Sequence, residues 1–595
     1  MPNSMYTGAD LVADFVWKYL SPKVFLVTGG ACAFIVDAIG RHAELDYVCF
    51  QHEQAASMAA DASWRTTGRV GVTLATSGPG ATNLITGIAC SWFDSIPSFH
   101  ITGQVNQSEN RENVGANVRQ AGFQETDIVD MVRPITKWAH QVKDPEDLVA
   151  ALPKALEIAL AGRMGPVLLD IPMNIQKSHI TLEQKKRALN VNKREIDDGN
   201  GEFFSIQVKR FFQNIERPLV LIGAGAGLSG SAKDIQAWCE SNNIPYVVSW
   251  GALTFIDRAK KGFQGSIGVY GSRHANWVVQ AADKILVLGS RLDNRQRTGN
   301  PKSFAPFASI LVVDIDAEEL LKFKKESNYN MIQLDLSGVA KYLPKIEKLN
   351  GTWNKELTQR KNQMSNGFEA ACKVSDLNPY LVINELQRKF PSDSIVVSDC
   401  GANLCWVYQS YLPDSSYLFT SGGNSPMGYS LPAAIGAQIL NREKSVFCFI
   451  GDGGLQMNIQ ELQTISELKL PIKIIIQNNK GYGIIKQFQD SYFKSRYYAT
   501  GIGYSIPNFK KIAEAYGIQY RTIRSLDEAS ELVLESGAMM IDLDLAENSL
   551  ITPKTEMNRF IHDQFPYVDD GSIEELPFKY PERPSELGGI SGATV

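Results

Sequence analysis

An aspartate and an asparagine stand where two predicted strands end, and their side chains suit metal chemistry. The apolar run 445–450 predicts a buried strand that ends at the sequence GDGG, which contains Asp452. The segment 472–477 predicts a second buried strand, followed by Asn478 and Asn479. Parallel strands of one sheet end at the same edge, so we expect Asp452 and Asn479 to emerge close together.

A carboxylate and an amide oxygen suit a hard divalent cation that also carries phosphate ligands. Mg²⁺ usually takes one or two protein carboxylates and leaves its other positions to phosphate oxygens and water. Gly453 and Gly454 would let backbone N–H groups approach those phosphates at a helix start. A turn rich in Gly and Asp is common between strand and helix, so GDGG alone leaves an ordinary turn open as the alternative.

The pairing of GDG with NN about two dozen residues later is more specific. It resembles the signature of enzymes that use thiamin diphosphate (ThDP), in which the Asp and the second Asn bind the metal that holds the cofactor's diphosphate. The resemblance implies ThDP and Mg²⁺ as cofactors, with metal ligands at Asp452, Asn479 and Gly481. It also implies contacts to the cofactor at three glycines of the turn: Gly451, Gly453 and Gly454.

Glu53 is the acidic candidate in the first third of the chain. It precedes a predicted helix over 55–64, so an interaction with the helix dipole is the structural alternative. The sequence HEQ at 52–54, followed by SGPGATN at 77–83 and GQV at 103–105, resembles the pyrimidine-binding domain of the acetohydroxyacid synthase branch. In that family the matching Glu hydrogen-bonds N1′ of the aminopyrimidine and promotes the imino form that deprotonates the thiazolium carbon. For His52 we expect a structural role.

The same resemblance assigns further residues to the reaction centre and to the cofactor. It implies that Gly30, Phe123 and Gln124 belong to the catalytic centre, with Phe123 and Gln124 along the substrate approach. Met427 matches the bulky apolar residue beneath the bond between the cofactor's rings, although a core methionine is the ordinary interpretation. The implied ThDP contacts are Ser77, Gly78, Pro79, Asn83, Gly401, Ala402, Asn403, Met427 and Ile484.

A glycine-rich turn at 223–227 follows an apolar segment in the middle of the chain. Alone it is a weak indication of a dinucleotide, because many turns between strand and helix look like it. The segments 289–295 and 314–316 resemble parts of the synthase family that touch FAD, whereas pyruvate decarboxylases keep this domain without a flavin. The resemblance implies FAD contacts at Gly223, Gly225, Gly289, Arg291, Arg295, Asp314 and Asp316.

Strand-like segments alternate with helical ones in three parts of the chain, which favours parallel sheets covered on both faces. The expected fold class is α/β, with three doubly wound parallel-sheet domains: pyrimidine-binding, central FAD-like and diphosphate-binding. A helix is predicted over 458–468. The polar stretch 176–201 predicts an exposed linker, and the polar stretch 349–376 predicts another linker with helical parts. The predicted strands are 24–27, 70–75, 98–102, 167–171, 219–222, 246–248, 284–288, 310–313, 394–397, 445–450 and 472–477.

From these patterns we expect four parts in the chain. They are the pyrimidine-binding domain at 1–180, the central domain at 200–348, the diphosphate- and metal-binding domain at 375–550 and a tail at 551–595. The tail is rich in Pro, Gly and acidic residues, and we expect it to wrap the surface or to lie over the site, with disorder from residue 588.

Composition narrows the class of protein. A chain of 595 residues is too long to fold around a single hydrophobic core. It has 59 basic and 64 acidic residues without a block of either sign, so its charge predicts neither a nucleic-acid partner nor a membrane partner. No segment has the pattern of a membrane span or a signal peptide, so the cytoplasm is expected. The eight cysteines, such as Cys49 and Cys448, lie in apolar contexts without a C-x-x-C pair, which predicts reduced, buried thiols and neither disulfides nor a zinc site.

The resemblance covers residues 5 to 550 and implies a catalytic chain of the acetohydroxyacid synthase large-subunit type. Its reaction would be decarboxylation of a 2-oxo acid, pyruvate, and carboligation of the two-carbon unit to a second carbonyl compound. The family holds its cofactor between the first domain of one subunit and the third domain of another, which implies a homodimer or homotetramer; a regulatory small subunit is left open. A flavin-dependent pyruvate oxidase and a non-catalytic ThDP-fold binding protein are the alternatives.

Two positions depart from the synthases' substrate pocket. Met173 follows Pro172 where the synthases have a Lys, and Phe488 stands where they have the Trp that shapes the pocket for the second 2-oxo acid. Drift in an ordinary synthase is one interpretation, because Phe488 keeps an apolar wall. The other is that loss of a cation and a smaller ring admit a neutral or larger acceptor, such as the keto sugar of a nucleotide-activated sugar.

Overall fold

Three parallel sheets of six strands each organise the chain, which confirms the predicted α/β class with three doubly wound domains. The computed structural model describes residues 6–114, 118–191, 199–346, 351–411, 416–557, 559–567 and 576. The disorder expected from residue 588 lies outside these residues.

The first sheet has the strand order β2-β1-β3-β4-β6-β5, and all of its pairings are parallel. Its inner strands are near-continuous apolar runs because helices cover both faces, and β3, β4 and β6 are buried along their whole length. The strands are β1 (Lys23–Leu26), β2 (Asp46–Cys49), β3 (Gly71–Ala75), β4 (Ser98–Gln104), β5 (Trp138–Gln141) and β6 (Val167–Pro172).

The middle sheet has the order β12-β11-β10-β7-β8-β9, again all parallel. Counted within the domain, this is the order 3-2-1-4-5-6 of dinucleotide-binding folds, whose ligand crevice opens between the first and fourth strands. The strands are β7 (Pro218–Ile222), β8 (Tyr246–Val248), β9 (Phe263–Ser266), β10 (Lys284–Leu288), β11 (Ser309–Asp314) and β12 (Tyr329–Gln333).

The third sheet repeats the order of the first, as β14-β13-β15-β16-β18-β17. Gly451 on β15 pairs with Gln477 on β16, so the turn with Asp452 and the loop with Asn479 leave the sheet side by side. The strands are β13 (Ile395–Ser398), β14 (Tyr417–Phe419), β15 (Val446–Gly451), β16 (Lys473–Asn478), β17 (Gln519–Ile523) and β18 (Met539–Asp544).

Helices connect the strands and cover both faces of each sheet. In the first domain they are Gly8–Tyr19, Ala33–Arg41, Glu53–Thr67, Pro79–Asn83, Ile85–Asp94, Arg111–Val114, Ile128–Val132, Pro145–Leu160, Met173–Lys177 and Leu182–Ala188. In the middle they are Gly201–Phe211, Ala224–Leu228, Ala232–Ser241, Arg273–Ala281, Asn294–Arg297, Ala317–Leu321 and Thr352–Gln363. The third domain has Pro379–Gln387, Ala402–Ser410, Ser430–Leu440, Asp452–Met457, Leu462–Glu467, Gly483–Phe493, Phe509–Ala515 and Leu526–Glu531.

The first and third domains of one chain pack through the helices Glu53–Thr67 and Ser430–Leu440. The Tyr429 hydroxyl donates a hydrogen bond to the Asp61 carboxylate, which also pairs with Arg65 at 2.6 Å. Asp61 and Tyr429 are buried between the domains, Arg65 is half-buried beside them, and the three groups satisfy one another, as buried charges must. Within the described residues, no helix is long and apolar enough to cross a membrane.

Several local predictions were wrong. The range 458–468 predicted as one helix holds a 3₁₀ turn at Ile459–Glu461 and the short helix Leu462–Glu467. A separate helix, Asp452–Met457, precedes it and ends at Asn458, whose φ of −134° is not helical. The predicted exposed linker 176–201 contains the buried Gln176 and the helix Leu182–Ala188. The linker 349–376, by contrast, has a helical part as predicted, the helix Thr352–Gln363. All eight cysteines are free, but three are not buried as predicted: Cys49 is exposed because β2 lies at the sheet edge, and Cys372 and Cys400 are only partly buried.

The tail returns to the body of the protein as a short hairpin of two antiparallel strands, β19 (Lys554–Thr555) and β20 (Gln564–Phe565). Thr555 N donates to the carbonyl of Val269 in the middle domain at 2.8 Å. The Gln409 amide of the third domain donates to the carbonyl of Pro553 at 2.7 Å. The hairpin is therefore attached to two domains at once. The predicted boundaries 1–180, 200–348, 375–550 and 551–595 stay a prediction, within which the three sheets fall.

Candidate active site

Two loops of the third domain build one end of the site, at the point where the strand order reverses between β13 and β15. Asp399, at the end of β13, ties them together. Its carboxylate accepts hydrogen bonds from the backbone of Gly428 at 3.0 Å and from the backbone and hydroxyl of Ser430 at 3.1 and 3.0 Å. Burial raises the pKa of the Asp399 carboxyl, and these donors act in the opposite direction. The residue fixes the segment that carries Met427.

The Asp452 carboxylate lies in the next loop with little access to solvent, at 2% exposure. Its Oδ1 accepts hydrogen bonds from Gly453 N at 2.6 Å and from the Tyr504 hydroxyl at 2.7 Å, and its Oδ2 accepts one from Gly481 N at 3.3 Å. Burial raises the pKa of Asp452. A buried carboxylate without a cationic partner is costly, and a bound divalent cation would compensate it.

Three amide side chains around Asp452 have polar atoms without a partner. Within the described residues, Nδ2 of Asn479, Nδ2 of Asn403 and both polar atoms of Gln477 are buried and make no hydrogen bond. Buried polar groups are normally paired, so such a concentration indicates a polar ligand. All three residues line one large cavity with a volume of about 1520 Å³.

Gly453 forms the floor of a narrow space beside these amides. A methyl group at this position would lie 2.7 Å from the Tyr482 ring, 3.0 Å from the Tyr504 hydroxyl and 3.2 Å from Cε of Met427. The two tyrosine rings also contact each other, with centroids 4.6 Å apart. Only glycine leaves this space open for a ligand that approaches the backbone.

The predicted first-domain residues form a second group, around Glu53. Oε2 of Glu53 accepts a hydrogen bond from the Asn83 amide at 2.9 Å, and Gly80 has no side chain to crowd Oε1. Gly78 packs directly on Gln124, where a methyl group would lie 2.8 Å from the Gln124 Cβ. The neighbouring Phe123 is 84% exposed.

The two groups do not share a cavity in one chain. Among the described residues, the 1520 Å³ cavity is lined by the third domain, the middle domain, the hairpin and the 64–68, 93–96 and 162–164 segments of the first domain. The predicted residues Gly30, Glu53, Ser77, Gly78, Pro79, Asn83, Phe123, Gln124 and Met173 do not line it. The predicted residues that do are Gly225, Gly289, Arg291, Arg295, Asp314, Gly401, Ala402, Asn403, Met427, Gly451, Asp452, Gly453, Gly454, Asn479, Gly481, Ile484 and Phe488.

Comparison with known proteins identifies the ligand that this site binds. Three family profiles match the chain: the N-terminal TPP binding domain of thiamine pyrophosphate enzymes at residues 6–131, the central domain at 207–333 and the C-terminal TPP binding domain at 399–542. The acetolactate synthase large subunit of Lactococcus lactis is 31% identical over 558 residues, 92% of this chain and 94% of that protein.

The chain belongs to the thiamine pyrophosphate enzyme family, on its acetolactate synthase large-subunit branch. Two isozyme large subunits of Escherichia coli K12 agree with this. Isozyme 1 is 33% identical, with 86% of this chain and 89% of that protein covered, and isozyme 2 is 32% identical, with 91% and 96% covered. The predicted family membership is confirmed, and thiamin diphosphate, also called thiamine pyrophosphate, is the cofactor of this enzyme.

The thiamine pyrophosphate site fits the donor set around Asp452. The Asp452 carboxylate, the Asn479 side chain and the Gly481 backbone offer hard oxygen ligands for a cation, and the unpartnered amides of Asn403 and Gln477 offer donors for phosphate oxygens. Gly453 leaves the space that a diphosphate at a helix start requires. Gln477, Tyr482 and Tyr504 were not predicted, because their relation to Asp452 comes from folding rather than from spacing.

The middle-domain part of the cavity has a different character. Gly225 N donates to the carbonyl of Gly289 at 2.9 Å, and a methyl group at Gly223 would lie 2.1 Å from the same oxygen, so these glycines are required by packing between two loops. Asp314 lines the cavity, whereas Asp316 pairs with Arg163 at 2.8 Å and caps the helix Ala317–Leu321. Packing explains the glycine at position 223, and the ion pair and helix cap explain the aspartate at position 316, so both residues have structural roles.

His52 and Glu53 share the start of one helix. The His52 ring accepts a hydrogen bond from Gln54 N at 3.1 Å and caps the helix, which is the structural role expected for it. Glu461 of the third domain, which was not predicted, accepts hydrogen bonds from the backbones of Gln51 and His52 at 3.1 Å each. The loop before Glu53 is therefore held by the third domain of the same chain.

Proposed function

We propose that this protein uses thiamin diphosphate and Mg²⁺ to decarboxylate pyruvate and to join the two-carbon unit to a second carbonyl compound, as an acetolactate synthase does. The observation that carries the proposal is the buried Asp452 carboxylate beside unpartnered amides and the open floor at Gly453. The names of the relatives, acetolactate synthase large subunits, support the same reaction.

Each group at the Asp452 end has a role in holding the cofactor. Asp452, the side chain of Asn479 and the backbone of Gly481 would hold Mg²⁺, and the amides of Asn403 and Gln477 would orient the diphosphate. Met427 lies beside Gly453 and would support the cofactor from below. Thiamin diphosphate supplies a nucleophilic carbon that attacks a 2-oxo acid and an electron sink for the electrons released with CO₂.

Glu53 would exchange a proton with the cofactor's aminopyrimidine. The Asn83 amide fixes one of its oxygens and Gly80 leaves the other free, so the carboxyl can face a ring nitrogen without rearrangement. Gly30 is exposed, and no atom lies within 4 Å of the position of an added methyl group, so a ligand can approach its backbone. Phe123 and Gln124 would line the substrate approach.

A second copy of the chain would bring the two groups together. Glu53 does not line the cavity that holds Asp452, and the large exposed surface of Phe123 suits contact with another subunit. We therefore propose a homodimer or a tetramer built from such dimers, in which each site uses Glu53 of one subunit and Asp452 of the other.

FAD would occupy the middle-domain part of the cavity. Support comes from the dinucleotide-type strand order and from a cavity whose 1520 Å³ exceeds the volume of a small-molecule site. Gly225, Gly289, Arg291, Arg295 and Asp314 line this part. A flavin-dependent pyruvate oxidase remains the second candidate activity because it would need the same cleft.

The Glu53→Gln variant tests the assignment of the proton-transfer group. We expect thiamin diphosphate binding close to that of the parent and a turnover number lower by a factor of about 10²–10⁴, because amide replaces a group that exchanges protons. Binding is followed by calorimetry with Mg²⁺ and turnover by pyruvate consumption. Glu202→Gln is the matched control, because Glu202 also stands in the first turn of a helix but is exposed. If Glu53→Gln turns over like Glu202→Gln, Glu53 has no part in the mechanism.

Product analysis separates the candidate reactions. Pyruvate alone should give acetolactate, and the addition of keto sugars of nucleotide-activated sugars tests the larger acceptor that Phe488 and Met173 would admit. An oxidase would instead bleach bound flavin in the absence of oxygen at rates that match turnover. A non-catalytic binding protein would consume no pyruvate at all.

A further inference from the structure

A lysine of the tail lines the cavity and has no partner among the described residues. Lys554 begins β19, lines the 1520 Å³ cavity and is only 7% exposed. Within the described part of the chain its Nζ makes no hydrogen bond and no ion pair. An ammonium group that is removed from water and left unpaired is costly to the folded protein.

The two carboxylates whose charges act on Lys554 accept hydrogen bonds from other groups. Glu556 accepts hydrogen bonds from the Tyr567 hydroxyl at 2.5 Å and from the Ser491 hydroxyl at 3.3 Å, and Asp490 accepts one from the Tyr497 hydroxyl. Burial lowers the pKa of Lys554, although the charges of Glu556 and Asp490 act in the opposite direction. Neither carboxylate forms an ion pair with the lysine.

The other buried lysines differ from Lys554 in this respect. Lys473 donates to the carbonyl of Glu535 at 2.7 Å, and Lys486 lies 3.8 Å from the Glu547 carboxylate. Both are exposed to nearly the same small extent as Lys554. Among the buried lysines of the described residues, Lys554 alone lacks a partner, which points to one from outside the chain.

The backbone holds Lys554 in a fixed place beside the aromatic wall of the cavity. Thr555 N donates to Val269 O at 2.8 Å, and the hydroxyl of Thr555 donates to Ile561 O at 2.9 Å across the hairpin. Met557 N donates to the hydroxyl of Tyr492 at 3.0 Å, and the ring of Tyr492 lies 4.7 Å from that of Phe488. Phe488 is the residue predicted for the acceptor pocket.

We propose that Lys554 binds an anionic group, a carboxylate or a phosphate, of the acceptor in the carboligation. The inference rests on the proposed function and narrows its acceptor to a charged carbonyl compound. The cation that is absent at Met173 is thereby replaced by one from the tail. A neutral ketone or aldehyde would leave the lysine unpaired and would be the poorer acceptor.

Two pairs of acceptors, each a charged compound and its counterpart without the charged group, test the proposal with pyruvate as the donor. The first pair is 2-oxobutyrate and its uncharged counterpart propanal, and the second is dihydroxyacetone phosphate and dihydroxyacetone. For each pair the ratio of kcat/KM for the charged over the neutral acceptor is measured in the parent, Lys554→Met and Lys554→Arg. We expect Lys554→Met to lower the ratio about 10- to 100-fold in at least one pair, because a charge-assisted hydrogen bond is lost, and Lys554→Arg to restore most of it.

The affected pair identifies the anion. A loss confined to the first pair indicates a carboxylate, and a loss confined to the second indicates a phosphate. Ratios that stay within about threefold of the parent in both pairs would overturn the proposal. The affinity for thiamin diphosphate, measured by calorimetry with Mg²⁺, should be equal in all three proteins, which separates a defect in acceptor binding from misfolding or from loss of the cofactor.

An experiment without turnover keeps this inference apart from the proposed reaction. Lys554 is labelled with an amine-reactive reagent, and the labelled peptide is quantified by mass spectrometry in the presence of inorganic phosphate or butyrate. Saturable protection by either anion, beyond that of chloride at equal ionic strength, is expected. An unchanged labelling rate with both anions argues against the site even if the enzyme consumes pyruvate, whereas protection in an enzyme that does not consume pyruvate would refute only the proposed reaction.

Discussion

At the scale of single residues, the site depends on glycines that leave space and on amides whose polar atoms are available to a ligand. Asp452 is held by Tyr504 and by two backbone N–H groups, so its orientation does not depend on a bound cation. Among the described residues, the Nδ2 atoms of Asn403 and Asn479 and both polar atoms of Gln477 are buried without a hydrogen-bond partner. Such preorganisation lowers the entropy that a ligand must lose on binding.

Gly453→Ala should weaken cofactor binding while leaving the fold intact. The added methyl would lie 2.7 Å from the Tyr482 ring and 3.0 Å from the Tyr504 hydroxyl, and overpacking of this kind costs about 1–3 kcal/mol. We expect the dissociation constant of thiamin diphosphate, measured by calorimetry with Mg²⁺, to rise at least about tenfold. Gly40→Ala, in a helix where the nearest atom is 3.9 Å away, is the control and should bind like the parent. Equal affinity of both variants would show that the space at Gly453 is not used.

At the scale of elements, the contact of Glu461 with the loop before Glu53 predicts a dependence of stability on pH. Burial raises the pKa of Glu461 from its usual 4.5 to about 7, partly offset by donors from Thr464, Gln51 and His52. The folded protein therefore keeps a proton that the unfolded chain has lost between these values, and the free energy of unfolding falls as pH rises through this window. The effect is at most about 3 kcal/mol.

Glu461→Gln should remove this dependence. Its carbonyl oxygen can still accept from Gln51 and His52, since both backbone N–H groups reach the same carboxylate oxygen at 3.1 Å. We expect the thermal midpoint of the variant minus that of the parent to increase as pH rises from about 5 to about 8. The exposed Glu467, changed to Gln, is the control and should follow the parent. Parallel curves for the parent and the Glu461→Gln variant would contradict the assignment.

At the scale of elements, the buried strands were the part of the fold that the sequence predicted best. Strands with long apolar runs, such as β15 and β16, were predicted because burial on both faces demands such runs, and their parallel pairing brings Asp452 beside Asn479. The six strands at sheet edges were missed because they are partly exposed: β2, β5, β9, β12, β14 and β17. The strand β18 was missed although it is almost wholly buried, since it carries two aspartates.

Residues that act through contacts between distant parts of the chain could not be predicted from the sequence. The link between Glu461 and the loop before Glu53 joins positions about 410 residues apart, and no local pattern reports it. Lys554 resembles any lysine in a polar tail until the hairpin returns to the cavity. The pair of Tyr482 and Tyr504 around Gly453 likewise arises only when the chain is folded.

At the scale of the whole molecule, activity should depend on protein concentration. If each site needs Glu53 of one subunit and Asp452 of another, dilution below the dissociation constant of the dimer should lower specific activity in proportion to the loss of dimer. Light scattering and pyruvate consumption measured over the same dilution series check this. A monomer that remains fully active would contradict the shared site.

The separation of the Glu53 group from the Asp452 cavity in one chain has a genetic consequence. In a mixture of Glu53→Gln and Asp452→Asn subunits, each mixed dimer would combine the two defects at one site and leave the other site with both original residues. Two inactive proteins, unfolded together and refolded or expressed in one cell, should therefore rescue each other to about a quarter of the parent activity, whereas a chain that carries both substitutions should rescue neither. Two defective copies of the gene would then complement each other, because each supplies the residue that the other lacks.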